Sequence, residues 1–118
     1  MGWWSDELVR INIRTNEITT YPAPHRDCGP YHAVTDPEGQ IWVVCQTADQ
    51  LLRFNPQTKG WTQYDIPLLG LDAHGMGVGP KLINGRVRVA VPSWTTSKTI
   101  LMDVRKQEDI QALKAEAR

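Results

Sequence analysis

Residues 7–24 read ELVRINIRTNEITTYPAP, and residues 50–67 read QLLRFNPQTKGWTQYDIP. At an offset of 43 residues, seven of the eighteen aligned positions are identical: Leu8/Leu51, Arg10/Arg53, Asn12/Asn55, Thr15/Thr58, Thr19/Thr62, Tyr21/Tyr64 and Pro24/Pro67. Unrelated segments of ordinary composition would share about one, so the chain is built on an internal repeat. The identity reaches back to Asp6/Asp49. A repeat of this length implies stacked supersecondary units, each too small to bury its own hydrophobic faces.

The pattern inside the repeat selects strands over helices. Helical repeats of similar length carry apolar residues at helical spacing; here they alternate with polar ones. Leu8, Ile11 and Ile13 lead into a turn at 14–17, and Ile18, Thr20 and Tyr21 follow it. In the second copy Leu52 and Phe54 lead into NPQTKG at 55–60, and Trp61 and Tyr64 follow. Asn, Pro and Gly supply hairpin turn chemistry. Four short strands every forty-odd residues is the period of a β-propeller blade.

Between the two copies lie the other strands of one blade. HAVT at 32–35 opens it, Asp36-Pro37-Glu38-Gly39 turns the chain, and QIWVVC at 40–45 is an apolar second strand. The expected complete blade is 25–67, with strands near 31–35, 40–46, 50–55 and 60–65. Residues 3–24 supply only the outer strands of a preceding blade. A last blade over 68–105 is expected from strands near 74–78, 86–91 and 99–104, with Asn84-Gly85 as a type I′ hairpin turn. GVGPK at 77–81 reads as an insertion at its rim. Residues 106–118 read as a short polar helix with Ile110, Leu113 and Ala117 on one side.

The fold class is therefore all-β: two and a fraction antiparallel propeller blades over 1–105, with a C-terminal helical tail. Such a stack leaves both end faces uncovered. Three outcomes follow: a fragment of a longer gene product that carries the remaining blades, self-association into an oligomer that builds the ring from several copies, or an open sheet stack.

Composition excludes several function classes. The 118 residues are 41% hydrophobic and 22% charged, with 13 basic and 13 acidic side chains. Without a concentrated basic patch, neither nucleic acid nor an anionic membrane surface is an expected partner. No apolar run approaches the roughly 18 residues of a membrane span. The opening residues, MGWWSDE, lack the basic and apolar regions of a signal peptide. The two cysteines, Cys28 and Cys45, are too few for a disulfide framework. Their spacing leaves one bridge open, but they read as two unrelated buried thiols.

The blade sentence HAVTDPEGQIWV, then LLRFNP and TQYDIP, resembles the blades of the virginiamycin B (streptogramin B) lyases over about residues 3–104. Members of that family are propellers, often exported, that open cyclic depsipeptides by eliminating an ester. The resemblance implies a Mg²⁺ ion that stabilises the developing enolate and a histidine base. It places the chemistry on the last two blades, at one mouth of the central channel. His32 in HAVT and His74 in DAHG then stand at the two histidine positions, as acid/base candidates. Asp72 stands at one expected glutamate position and is the candidate metal ligand. Two further acid positions are occupied instead by Cys45 and Pro92.

Each candidate also has a plainer reading. His32 and His74 can serve as strand-start residues that bond to backbone, and an Asp before a strand is often a turn-former. His25, Tyr31 and Trp94 are expected at the channel rim, His25 as a surface residue. Trp42 and Trp61 read as blade packing, and Arg10 and Arg53 as repeated inter-blade salt bridges. With acids missing, the expected function is a non-catalytic binding or interaction module, or a truncated gene product. The alternative is a Mg²⁺-dependent carbon–oxygen lyase acting on a cyclic peptide or lactone. A gluconolactonase-type hydrolase would require a carboxylate- and Asn-rich metal site that this sequence does not display.

Overall fold

The computed structural model describes residues 5–67, 70, 72–93, 98–104, 111 and 114–116. Three antiparallel sheets follow one another in chain order. The first is the hairpin β1 (Glu7–Ile11) and β2 (Ile18–Pro22). The middle sheet is four-stranded: β3 (Pro30–Thr35), β4 (Ile41–Cys45), β5 (Gln50–Phe54) and β6 (Trp61–Asp65). The third contains β7 (Gly77–Val78), β8 (Arg88–Pro92) and β9 (Thr99–Asp103). Within each sheet every strand pairs with its sequence neighbour, which is the meander of a propeller blade. Gln111 and Lys114–Glu116 have helical backbone, the described part of the short tail helix.

Alternation along β4 and β5 decides how the sheets stack, because successive side chains leave a strand on opposite faces. Val43, Cys45, Leu52 and Phe54 join Leu8 and Cys28 in one buried cluster against the first sheet. Trp42, Val44 and Leu51 join Met76, Val87, Val89 and Val91 in a second cluster against the third sheet. The middle sheet is thus covered on both faces. Fully burying a Val, Leu or Phe side chain contributes about 1.5–3 kcal/mol, so these two clusters hold the stack together. Trp42 is wholly buried, and its indole N–H donates to the buried Asp36 carboxylate at 2.8 Å. The other Asp36 oxygen accepts from the Glu38 and Gln40 amides, so one residue closes the 36–39 turn and seats the core tryptophan.

The repeat identities have local causes. Asn12 Oδ1 accepts from the Arg14 and Thr15 amides, and Asn55 Oδ1 accepts from those of Gln57 and Thr58. Thr15 and Thr58 then each accept, through Oγ1, from the amide two residues on. Asn and Thr therefore recur because they close the same outer turn. Asp6 and Asp49 both adopt positive φ, 53° and 49°. The Asp6 carboxylate accepts from the amides of Asp27 and Gly29, and the Asp49 carboxylate from that of Gly70. Each aspartate pins the loop that crosses to the next sheet.

Some sequence expectations are corrected. Cys28 and Cys45 are not separate thiols; they form a disulfide. The loop before β3 folds back over the end of β4 and brings the two sulfurs together. The first strand of the third sheet is the two-residue β7, paired with Ala90 and Val89. Gly77–Val78 is thus ladder and not insertion, and His74 lies ahead of the strand. Among the described residues Arg53 forms no salt bridge; its guanidinium lies over the rings of Trp42 and Tyr64, 5.7 and 5.8 Å from their centroids. Asn84 and Gly85, with φ of 52° and 75°, make the I′ turn as expected.

Candidate functional site

One end of the middle sheet brings together three of the sequence-expected residues, Tyr31, Asp72 and His74. There Pro30 at the start of β3 lies opposite Cys45 at the end of β4. The loops before β3, after β4 and before β7 meet at this end. The Gln46 amide donates to the Gly29 carbonyl at 3.0 Å, which holds Gln46 beside the entry to β3. The pairing of β3 with β4 shifts register between Pro30 and His32, and the residue between them, Tyr31, is left 48% exposed. Its ring stacks on His74, with centroids 4.7 Å apart and planes inclined by 21°.

Asp72 turns the chain ahead of His74 with a φ of 45°, a conformation that aspartate tolerates better than most residues. Gln46 Nε2–H donates to Asp72 Oδ1 at 2.7 Å and lies 2.8 Å from His74 Nε2. His74 Nε2 is also 3.2 Å from the same Asp72 oxygen. The opposite amide orientation would set Gln46 Oε1 against a carboxylate, so the electrostatics select the one observed. Neutral His74 protonated on Nδ1 accepts the second amide hydrogen of Gln46. A proton on Nε2 instead donates to Asp72 and breaks that bond. The Gln46 Oε1 atom is buried and has no hydrogen-bond partner among the described residues. An unmade bond of this kind costs about 1–3 kcal/mol.

The other candidates fall in different places. His32 is an exposed β3 residue opposite Val44; the side chain that meets His74 is Tyr31. His25 bonds the Arg26 carbonyl and Gln50 Oε1 through its two ring nitrogens, at 2.7 and 2.5 Å. Gln50 opens β5, two strands from β3, so His25 is tied to a different strand from Tyr31. Trp94 lies outside the described residues, as do Trp3 and Trp4. Pro92 ends β8 opposite Thr99 and is exposed. Gln46 was missed by the sequence reading, because a search for titratable or metal-binding types passes over an amide.

The donor set does not fit Mg²⁺. That ion takes oxygen ligands in a near-octahedral array and relies on carboxylates. Asp72 offers one carboxylate, already engaged by Gln46, and Cys45 is committed to its disulfide. Among the described residues no three His, Cys, Asp or Glu side chains converge.

Solved structures supply the comparison. The chain superposes on virginiamycin B lyase from Staphylococcus aureus with a TM-score of 0.60 at 17% identity, over 86% of this chain and 36% of that one. A streptogramin B lyase gives 0.65 at 14% identity, over 90% and 36%. A catalytically inactive variant of the S. aureus enzyme with quinupristin gives 0.61 at 15%, over 87% and 36%. The chain has the β-propeller fold. At these identities the likeness concerns the fold alone, and the chain spans about a third of the length of those propellers. Neither a protein-family model nor a curated protein matches the sequence. In propeller terms, the Tyr31–His74 stack joins the innermost strand of one blade to the approach of the next, on the face where the loops between blades emerge.

Proposed function

We propose that this propeller segment is a ligand-recognition module without lyase chemistry, and that it takes a small cyclic peptide or lactone at the Tyr31–His74 end. The observation that carries this reading is the set of neighbours of His74: one aromatic ring, one amide and one carboxylate. Such a set stacks on a ring and bonds to amide or ester groups. Tyr31, 48% exposed, offers the accessible ring face. The competing reading, a Mg²⁺-dependent lyase with His74 and His32 as acid and base, draws support from the Asp72–His74 pair, since a carboxylate beside an imidazole is how a base is oriented.

The test separates the two. A streptogramin B should bind with a saturable affinity that Tyr31→Ala and Gln46→Ala each weaken, and it should be recovered intact, with or without Mg²⁺. Ring opening that depends on Mg²⁺ and is lost in His74→Ala would overturn the module reading.

Partner and compartment belong to the same proposal. Ile11 and Ile18 pair across the outer face of the first sheet and are 60% and 65% exposed. Leu101 is 67% exposed in the third. Further blades, from a longer chain or a second copy, would cover them. A monodisperse monomer with no in-frame blade codons beside its gene would overturn this. The disulfide supports an exported protein, since such bonds persist in oxidising compartments. Free thiols at Cys28 and Cys45 in protein trapped from living cells would count against it.

A further inference from the structure

The far end of the first sheet junction carries a second feature. A cavity of about 500 Å³ lies between the β1–β2 hairpin and the middle sheet, within the ~300–1,000 Å³ range of small-molecule sites. It is at the opposite end of β3 from the Tyr31–His74 stack: Thr35 lines it, and Thr35 pairs with Ile41 where Pro30 pairs with Cys45. Leu8, Tyr21, Ile41 and Phe54 give it apolar walls. Tyr21 and Phe54 form a tilted aromatic pair with centroids 4.7 Å apart. Phe54 is nearly fully buried, and behind it Trp61 packs at 4.9 Å. The aromatic wall is therefore fixed in place.

The charge at this cavity has one sign. Arg10 and Lys59 line it, and none of its described lining residues is acidic; Glu17 shares a separate, smaller hollow with Arg10. The Lys59 ammonium lies 5.4 Å from the Tyr21 ring centroid, so the cation is held over the aromatic wall by its attraction to the ring face. The two cations come from different sheets, Arg10 from β1 and Lys59 from the turn after β5. An occupant that met both would bridge the hairpin and the blade. The molecule this fits has an aromatic or short acyl body for the apolar walls and one anionic head for the two cations.

We propose that this inter-blade cavity binds a small amphipathic organic monoanion of the aryl carboxylate class, independently of the Tyr31–His74 end. The probe is 2-naphthoate, titrated into the ¹⁵N-labelled 118-residue protein and followed by amide chemical shifts. Its neutral counterpart, 2-naphthalenemethanol, is titrated in parallel. The expected result is a saturable shift confined to the amides of the 36–39 and 57–60 turns and of Leu8, Val9 and Arg10, which line the cavity from β1. The alcohol should bind about tenfold more weakly, the order expected when two partly exposed charge pairs are lost.

Arg10→Gln with Lys59→Gln should reduce naphthoate affinity to that of the alcohol. Both side chains leave the hydrophobic clusters intact, and the unperturbed spectrum of the free variant verifies the fold. Thr35→Trp keeps both charges and should abolish binding by filling the space. Equal affinity for acid and alcohol would overturn the proposal. So would an unchanged double variant, shifts mapping to Ile11 and Ile18, or no saturable shift.

Discussion

Where the hairpin meets the middle sheet, Leu8, Val43, Leu52 and Phe54 cluster around a Cys28–Cys45 disulfide, and a cavity of about 500 Å³ remains beside them. Where the middle sheet meets the third, Trp42, Val44, Leu51, Val87, Val89 and Val91 interlock, and the link at the loop end is the polar Gln46–Asp72–His74 cluster. Both junctions use the same two strands, β4 and β5. Their chemistry differs because alternation sends Trp42 to one face and Cys45 to the other. One junction is held by packed volume, the other by a covalent staple around a smaller core.

That contrast is broken most directly at Trp42. Trp42→Ala should cost about 3–5 kcal/mol, the range for emptying a large buried aromatic site. It should loosen the third sheet before the hairpin, and residue-resolved hydrogen exchange would show β8 and β9 losing protection ahead of β1 and β2. Trp42→Phe keeps most of the volume but leaves Asp36 without its indole donor. It should cost less, about 1–3 kcal/mol. A comparable loss of protection in both outer sheets would mean that the junctions are not energetically separate.

The staple gives the next effect in size. Cys28 and Cys45 are 17 residues apart, and closing a loop near that length is worth about 3 kcal/mol in the chain-entropy account. Cys28→Ser with Cys45→Ser should lower the urea midpoint by a corresponding amount, and the hairpin should lose protection first. The same loss should follow reduction of the natural protein. Indifference to reductant would place the stability of this junction in Leu8, Leu52 and Phe54 alone.

How much of this was legible in the sequence follows from where each signal sits. The repeat carried the fold, because Asn12/Asn55, Thr15/Thr58 and Asp6/Asp49 are fixed by backbone geometry that recurs in every copy. The disulfide was not legible. Cys45 is set on its face by strand register, whereas Cys28 arrives through an irregular loop with no period to extrapolate. The same limit applies to the site. His74 lies ahead of β7 and not within the strand the sequence suggested, and the register shift before His32 hands the contact with His74 to Tyr31. A one-residue irregularity in a strand changes which side chain reaches a neighbour, and no composition signal marks it.

A smaller effect tests whether the repeated turns carry equal weight in the two settings. Asn12→Ala and Asn55→Ala each remove two side-chain to backbone bonds from equivalent turns, a loss of about 0.5–1.5 kcal/mol apiece. Asn55 closes a turn in the doubly covered sheet, so its loss should register in global unfolding. Asn12 closes the exposed hairpin, so its loss should appear mainly as local exchange at 12–17. Equal global effects would show that the hairpin unfolds only with the rest.

The smallest effect concerns pH and belongs to the stapled junction, since His25 sits in the loop that carries Cys28. Its two ring nitrogens face two carbonyl-type oxygens, on Arg26 and Gln50, and only the imidazolium donates to both at once. The Arg26 carbonyl is the main reason its pKa is raised from 6.5; burial opposes the rise, and Gln50 and the carboxylates of Asp6 and Asp27 add to it. A group whose folded pKa is raised stabilises the fold fully below its unfolded pKa, and that stabilisation is lost as pH climbs through the folded value. The difference in melting temperature between the natural protein and His25→Ala should therefore be largest near pH 5 and shrink above neutrality. Because the loop bonds to Asp6 as well as to Gln50, the pH-dependent part of the loss should be felt at the hairpin junction and spare Trp42. A difference constant across pH would mean that His25 holds the loop through a single neutral hydrogen bond, leaving the disulfide as the junction's main tie at every pH.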